Sequence, residues 1–507
     1  MRKFIDDFLN QVTMYRLLVY YLSGLLGVAF VVSLFGNLGF SAVALLASTA
    51  ILLAACWSIN RAFAFIFKTP VNHESSIITA LILALLITPK LGQYDLLFLL
   101  AASGLAMASK YVLTIKDVHI FNPAAIAVVL TAMGPRQNAS WWIGTAVMLP
   151  FVLIGGLLVV RKIRREAMVF SYLAVTLLAT ALFAVFGHSS GWGALKEALL
   201  TSPALFLGFV MLTEPLTSPG TKGKQVLFGA FVGLLLPPQV HVGSLYTSPE
   251  IALVAGNIFA YLIDPRVRIF PKLQQKLKIT ASSADFVFTS DRKLRYRPGQ
   301  YMEWTLPHSN IDNRGNRRYF TLASSPTEST LRLGAKFYSP SSSYKKAMLA
   351  MTEGAPIVAA QVAGDFVLPR GRKQKLTFIA GGIGVTPFRS MVKYLTDINQ
   401  QRDITMLYTV SNATEIAYAD VFEQARRQLN IATTYVLTKP SLDRALQPNQ
   451  AAGYVDAELL RRTTPDYLER RFYISGSHQM VADVQEMLMK LGVPHRHIKA
   501  DYFPGYA

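Results

Sequence analysis

The sequence predicts a polytopic α-helical membrane domain over residues 1–270, a small antiparallel β-barrel over 271–372, and a doubly wound α/β domain over 373–507. Three observations carry this reading. From Arg16 to Leu262 the chain is a series of apolar runs with short connections, whereas from Lys272 charged and apolar residues alternate as in a water-soluble domain. A helix needs about 20 apolar residues to cross a bilayer, and Tyr15–Gly36, Phe40–Ser58 and Trp141–Val160 reach that length. Beyond Gln374 strands and helices take turns, the pattern of a parallel sheet covered on both faces.

Taken in order, about ten crossings are expected, near 16–36, 41–59, 76–89, 95–109, 121–134, 141–160, 167–187, 199–213, 225–237 and 249–264. The opening MRKFIDDFLNQV has two aspartates and no short apolar core, so it reads as a retained cytoplasmic end and not a cleaved signal. With that end inside, Arg61, Lys68, Lys110, Lys116, the Arg161–Arg165 run, Lys222, Lys224, Arg266 and Arg268 all fall inside. The expected location is therefore the inner (cytoplasmic) membrane, with the soluble half on the cytoplasmic side. The net charge of +20 is explained by these flanking clusters and by attraction to the lipid bilayer. No nucleic-acid motif is present, and no nucleic-acid partner is expected. The one cysteine, Cys56, lies in an apolar run, so a four-thiolate iron–sulfur cluster is excluded within this chain. No metal site is expected.

Three runs are too short for a comfortable crossing: Ser76–Thr88, Asn122–Gly134 and Val226–Leu236. Polar loops precede them, containing Ser75-Ser76, His119-Ile120-Phe121-Asn122-Pro123 and Thr213-Glu214-Pro215-Leu216-Thr217-Ser218-Pro219. Broken helices at membrane depth survive where protein or a cavity satisfies their backbone, and their N-termini favour anions. The pattern alone leaves ordinary turns and ligand sites both open.

In the soluble half, Leu277, Ile279 and Ala281 alternate with polar neighbours, and strands are expected at 299–307, 318–324, 331–338 and 356–368. Next come strand 375–380, helix 387–399, strand 403–410, helix 419–428, strands 432–438 and 471–475, helix 478–491 and strand 497–503. In Phe378-Ile379-Ala380-Gly381-Gly382-Ile383-Gly384-Val385-Thr386-Pro387 an apolar strand runs into glycines, and Pro387 stands in the first helical turn. Such glycines let a backbone approach a pyrophosphate at a helix N-terminus, although a glycine turn can also be only a turn. Arg318-Tyr319-Phe320-Thr321-Leu322-Ala323-Ser324 offers a cation, aromatic faces and hydroxyls on one strand, although such a strand on a barrel is more often structural.

The three membrane segments, in this order, resemble the membrane subunits of the Rnf complex (its D subunit) and of the sodium-pumping NADH:quinone reductase (its B subunit). The likeness runs over about residues 70–265. It implies a flavin, FMN or riboflavin, near Ser76, Asn122, Thr213, Thr217 and Ser218. Those subunits attach FMN to a threonine in a Ser-Gly-Ala-Thr loop. Here the corresponding Pro135–Ser140 has no threonine, so the resemblance implies a flavin held without a covalent bond.

Residues 275–507 resemble the ferredoxin-NADP reductase superfamily, which makes the barrel an FAD domain and the α/β half an NAD(P) domain. Arg297-Pro298-Gly299-Gln300-Tyr301 is similar to its early Pro-Gly-Gln strand. Arg318, Phe320, Thr321 and Ser324 are similar to its Arg-x-Tyr-Ser-x-x-Ser FAD motif. By that likeness Arg318 neutralises the pyrophosphate, Phe320 packs on the flavin, and Thr321 bonds near flavin N5. Tyr319, Lys336, Ser342, Ser343 and Lys345 complete the FAD contacts. Gly381, Gly382, Gly384, Thr386 and Pro387 would hold NAD(P)H, with Ser475 and Gly476 beside the nicotinamide. Ser475 stands where the family has cysteine, and Asp501 where it often has glutamate. Phe503 and Tyr506 are the aromatics expected to cover the flavin.

These resemblances imply an NAD(P)H-dependent flavoprotein oxidoreductase that passes electrons through FAD into or across the membrane. The acceptor would be a quinone, or a membrane or extracytoplasmic flavoprotein. A ferric-reductase-like haem enzyme would need paired axial histidines on helices, and no histidine lies mid-span. A transporter with a nucleotide-sensing domain would be expected to carry charged residues inside its spans.

Overall fold

The computed structural model describes residue 9 and residues 12–69, 73–133, 139–188, 190–312, 314–440 and 445–502. The chain divides into two compact units, Met1–Arg268 and Ile269–Ala507.

In the first unit, helices stand in each of the expected regions, but few are full crossings. Met14–Leu34, Ala42–Ile66, Gln93–Val112 and Glu166–Phe186 are long and apolar enough to cross a membrane, giving four, or five if the bent pair Gly191–Leu200 and Ala204–Met211 counts as one span. The chain is thus a multi-pass membrane protein with four to five such spans among the described residues, and ten crossings are not shown. The reason is length. His73–Leu86, Pro123–Met133, Lys222–Leu235 and Pro249–Ile263 have 14, 11, 14 and 15 residues. At about 1.5 Å per residue none reaches the roughly 30 Å of a hydrocarbon core.

Trp141–Val160 departs most from expectation. It is not one helix: Trp142–Gly144 is a single 3₁₀ turn, and the α-helix starts only at Leu149, with Pro150 in its first turn. The preceding segment is tied elsewhere. Trp142 Nε1 donates to the Ala84 and Ile87 carbonyls at 2.9 and 3.2 Å, and a Cβ on Gly144 would lie 2.8 Å from the Ser202 backbone. Close packing also joins Lys222–Leu235 to Glu166–Phe186. A Cβ on Gly229 or Gly233 would sit 2.3 or 2.4 Å from the Met168 or Tyr172 carbonyl oxygen, so only glycine allows this approach.

Helix Pro249–Ile263 is held at three levels. Glu250 accepts from Trp141 Nε1 at 2.9 Å. Asn257 accepts from the Asn122 N–H at 2.8 Å and donates to the Thr217 carbonyl at 3.4 Å. Asp264, which follows the last turn, accepts from the Gly220 N–H at 2.8 Å and from Lys224 Nζ at 2.6 Å.

In the second unit, two three-stranded antiparallel sheets make the barrel half, ordered Lys272–Lys278, Ser283–Thr289, Leu331–Lys336 and Val358–Ala363, Tyr301–Thr305, Arg317–Thr321. Strand Ser283–Thr289 is unexpected from sequence. It carries a fully buried carboxylate, Asp285, which accepts from Arg332 Nε at 2.8 Å. The other half is a six-stranded sheet ordered Gln450–Ala452, Ala432–Leu437, Ile404–Val410, Leu376–Gly381, Arg471–Gly476, Ile498–Tyr502, and all its pairs are parallel. Leu376–Gly381 comes first in sequence yet lies centrally, so the winding direction reverses between it and Arg471–Gly476. The crevice beyond the C-terminal ends of two such strands is where open α/β sheets bind ligands.

Candidate functional site

The reversal point holds the glycine turn. Strand Leu376–Gly381 runs into a 3₁₀ turn, Gly382–Val385, and then helix Thr386–Asp397, with Pro387 in its first turn. Gly382 has φ +53°, a left-handed conformation that glycine adopts freely. Gly384 is needed for a different reason. A Cβ there would lie 2.6 Å from the Ser475 carbonyl oxygen and 2.7 Å from Gly476 N and Cα, so the turn rests on the end of the neighbouring strand. Gly381 approaches Met480 in the same way, with 2.2 Å from its Cβ position to the sulfur. Thr386 Oγ1 is turned back onto the Ile383 carbonyl at 3.2 Å. Ser475 pairs with Ala380 on one side and Asp501 on the other. It is fully buried and its hydroxyl has no hydrogen-bond partner among the described residues.

The barrel contributes a cationic corner. Arg318 is buried, with its guanidinium carbon 5.1 Å from the centre of the Tyr344 ring and Nη1 donating to the Arg314 and Arg317 carbonyls at 2.7 Å. Helix Ser343–Ala350 begins beside it, capped by Ser342, whose hydroxyl accepts from the Lys345 N–H. Burial, together with Arg318 and Arg314, pushes the Lys345 ammonium down to about 8. Crowded cations at a helix N-terminus favour a bound polyanion. Ser343 Oγ accepts from the Asp312 N–H at 3.0 Å and lies 3.0 Å from His308 Nε2. Phe320 packs 6.1 Å from the Tyr344 ring, and Thr321 Oγ1 is buried without a hydrogen-bond partner among the described residues. A barrel that presents cations, an aromatic and an unused buried hydroxyl fits FAD. The reversal crevice, with its unused Ser475 hydroxyl, fits a nicotinamide nucleotide.

Other predicted residues have different partners. Tyr319 turns its hydroxyl to Glu303 at 2.9 Å. Ser324 is fully buried, and its Oγ accepts from Tyr296 at 3.0 Å and from the Arg332 N–H at 3.1 Å. Lys336 Nζ lies 3.7 Å from Glu415. Phe503 and Tyr506 lie outside the described residues.

In the membrane unit three of the predicted residues, Asn122, Thr217 and Ser218, gather around Glu214, a loop residue to which the sequence reading gave no role. Asn122 Nδ2 and Thr217 Oγ1 donate to Glu214 Oε2 at 2.9 and 3.3 Å, and His119 Nε2 lies 3.4 Å from Oε1. Ser218 Oγ donates to the Glu214 carbonyl and accepts from the buried Arg165 at 2.6 Å. Thr213 Oγ1 is spent on the Phe209 carbonyl at 2.8 Å, within the turn that follows the π-helical Leu207–Met211. Ser76 is buried, and its neighbour Ser75 belongs to a second knot, where Lys110 Nζ donates to Ser75 Oγ and Thr79 Oγ1 at 3.1 and 2.9 Å. A shallow, partly open cleft is lined by His119, Thr217, Asn257, Asp264 and Arg266 among others. Asn257 was also missed, although a lone amide in the apolar run ALVAGNIFAYLI is a signal, since polar groups at membrane depth are costly unless bonded. The Pro135–Asn138 part of the loop lacking threonine lies outside the described residues.

Comparison with known proteins matches two segments. Residues 131–270 match the NQR2, RnfD, RnfE family, and residues 378–486 match the oxidoreductase NAD-binding domain. The first match includes Thr213–Ser218 but begins after Ser76 and Asn122. Among curated proteins, flavohemoproteins from Bacillus subtilis (strain 168) and Burkholderia sp. (strain TH2) are 27% and 26% identical over 213 and 211 residues. Each alignment covers 41% of this chain and 51% or 52% of the relative, so the chain spans about half the length of these curated relatives. The FAD/NAD-binding domain of nitric oxide dioxygenase from Vibrio cholerae O1 biovar El Tor aligns with a TM-score of 0.41 and 20% identity, over 46% of this chain and 98% of that one. The chain therefore joins a segment that matches the NQR2, RnfD, RnfE family to a segment that matches the oxidoreductase NAD-binding domain.

Proposed function

We infer that this protein is a membrane-bound NAD(P)H-dependent flavoprotein oxidoreductase, and that it delivers electrons from NAD(P)H into or across the membrane to a quinone or another flavoprotein. One observation carries the reading: the two buried hydroxyls without partners among the described residues, Thr321 and Ser475, belong to the two halves that fit a flavin and a nicotinamide. FAD, when bound, supplies an acceptor for the two electrons of a hydride and a donor of single electrons. The chain's own part is to bind and orient. Arg318, Lys345 and the helix N-terminus at Ser342–Ser343 hold the pyrophosphate. Phe320 packs on the ring system, and Thr321 offers it a hydroxyl. The glycine turn at Gly381–Gly384 admits the nucleotide backbone, and Ser475 lies beside the reacting nicotinamide carbon. Flavin analysis and stopped-flow bleaching of the purified full chain test this. Stoichiometric FAD bleached by NADH or NADPH is expected, and a folded chain without flavin would refute it.

Within the membrane unit the same reading places a second, non-covalently held flavin, FMN or riboflavin, by the Glu214 cluster, and the reductase half faces the cytoplasm. The Thr217 hydroxyl and the Asn257 amide, which border a cleft, and the Asn122 amide bonded to Glu214 support it. Replacing Thr217 and Ser218 by valine should remove a denaturation-released flavin other than FAD and leave NAD(P)H–ferricyanide activity intact. Finding FAD alone in the wild-type chain would refute it.

A further inference from the structure

The barrel half and the nucleotide half of the second unit meet at a buried charged seam that no cofactor contact requires. Arg389 is 2% exposed and stands one turn into the helix that opens at Thr386. Its Nη1 donates to the Ala323 carbonyl at 2.9 Å, and its two terminal nitrogens grip Glu328 as a fork, with Nη2 to Oε1 at 2.9 Å. The next residue, Ser390, donates to the Ser324 carbonyl at 2.6 Å and is also fully buried. Glu328 in turn accepts from the Ser325 N–H at 2.6 Å, so the carboxylate fixes the same short segment from its other side. Ala323 and Ser324 lie two and three residues after Thr321, and Arg389 and Ser390 lie two and three residues after Pro387, just beyond the glycine turn. The seam therefore joins the strand end that faces a flavin to the helix start that faces a nicotinamide. A buried guanidinium costs several kcal/mol of desolvation that pairing must offset; the bidentate fork to Glu328 fixes orientation as well as distance, while Nε has no partner among the described residues.

We propose that Arg389 is a positioning residue for hydride transfer, holding Thr321 and the Gly382–Thr386 turn in register so that donor and acceptor carbons meet at reacting distance. This rests on the reductase reading above. Hydride transfer is sensitive to such register, since a misplacement of about 1 Å can cost on the order of 100-fold. The reoxidation of reduced flavin by ferricyanide does not involve the nicotinamide, so the seam should matter to one half-reaction only.

The test uses the full chain in detergent with Arg389→Met, Arg389→Lys and the milder Ser390→Ala, which is retained in case the methionine variant does not fold. Flavin bleaching at saturating NADH, per bound FAD, should fall about tenfold or more in Arg389→Met. Arg389→Lys should be intermediate, and ferricyanide reoxidation of dithionite-reduced flavin should be unchanged in every variant. In flavin-free protein, hydrogen exchange should speed up in both 322–325 and 386–391 for Arg389→Met and Ser390→Ala. Wild-type bleaching rates in folded variants would overturn the proposal, as would an equal fall in both half-reactions. A wild-type chain without FAD would sink the reductase reading instead. The exchange measurement, made without flavin, still decides whether Arg389 couples the two segments.

Discussion

Replacing Gly384 by alanine separates a packing role for the glycine turn from a merely conformational one. The added Cβ would meet the Ser475 carbonyl oxygen at 2.6 Å and the Gly476 nitrogen at 2.7 Å. These are backbone atoms of a central strand, so no side chain can swing aside, and the turn and strand end must part by several tenths of an ångström. Overpacking of this kind costs about 1–3 kcal/mol of stability. The displaced pair is the one flanking the nicotinamide crevice, so kcat/KM for NAD(P)H should fall about tenfold or more. Gly382→Ala is the control: its φ of +53° disfavours a side chain, but no atom lies within 4 Å of the new Cβ. That change should cost roughly 1 kcal/mol through backbone conformation and should leave the strand end in place. Denaturant midpoints and steady-state NAD(P)H–ferricyanide kinetics on both variants provide the comparison. If Gly384→Ala keeps the wild-type kcat/KM while Gly382→Ala loses more, the close approach is not what the turn supplies.

Arg318→Ala should lose bound FAD, since a charge-assisted contact to phosphate contributes about 1.5–3 kcal/mol, and stoichiometric FAD in the purified variant would place the motif elsewhere. Ser475→Cys should keep its FAD content and bleach at an equal or faster rate in stopped flow, and a large loss of rate would show that the hydroxyl is required. Lys345 is held down to about 8 in the folded protein, so it loses its charge as pH rises through that value. FAD affinity, measured by titrating flavin-free protein, should weaken above pH 8 in wild type and lose that dependence in Lys345→Met. For the flavin-free protein the sign is opposite: the depressed ammonium disfavours the fold below about 8, and this is relieved as pH rises towards the ordinary 10.5.

What the sequence makes legible is whatever depends on near neighbours along the chain. The glycine turn, the proline that follows it and the Arg318–Thr321 strand are local patterns, and the structure brings them to one crevice and one barrel edge. Hydropathy finds the helical regions but does not report whether a helix is continuous, which is why Trp141–Val160 reads as one span while Trp142 is fastened to Ala84 and Ile87. Strand Ser283–Thr289 is hidden because its Asp285 looks like a loop residue until Arg332, from a different strand, neutralises it. Ser324 is a flavin contact by resemblance alone; that its oxygen also accepts from Tyr296 and the Arg332 N–H is not legible in the sequence, since both partners come from other segments. Glu214, quoted in its loop, is given no role for a related reason. A carboxylate between helices resembles a solvated loop charge, and only the fold shows that Asn122 and His119 converge on it.

The spacing of the ties on helix Pro249–Ile263 limits how the membrane unit can move. Glu250, Asn257 and Asp264 are seven residues apart, which puts them on one stripe at intervals of roughly 10 Å. Each is bonded to a different segment, Trp141, the Asn122–Thr217 pair and the Gly220–Lys224 turn. Rolling the helix about its own axis would break all three attachments together and turn two carboxylates and an amide away from every partner they have. Tilting or sliding it with its neighbours breaks none. Any working motion of this unit should therefore carry the helix as a fixed spoke with its attached loops, and spin labels on its two ends should report translation without rotation.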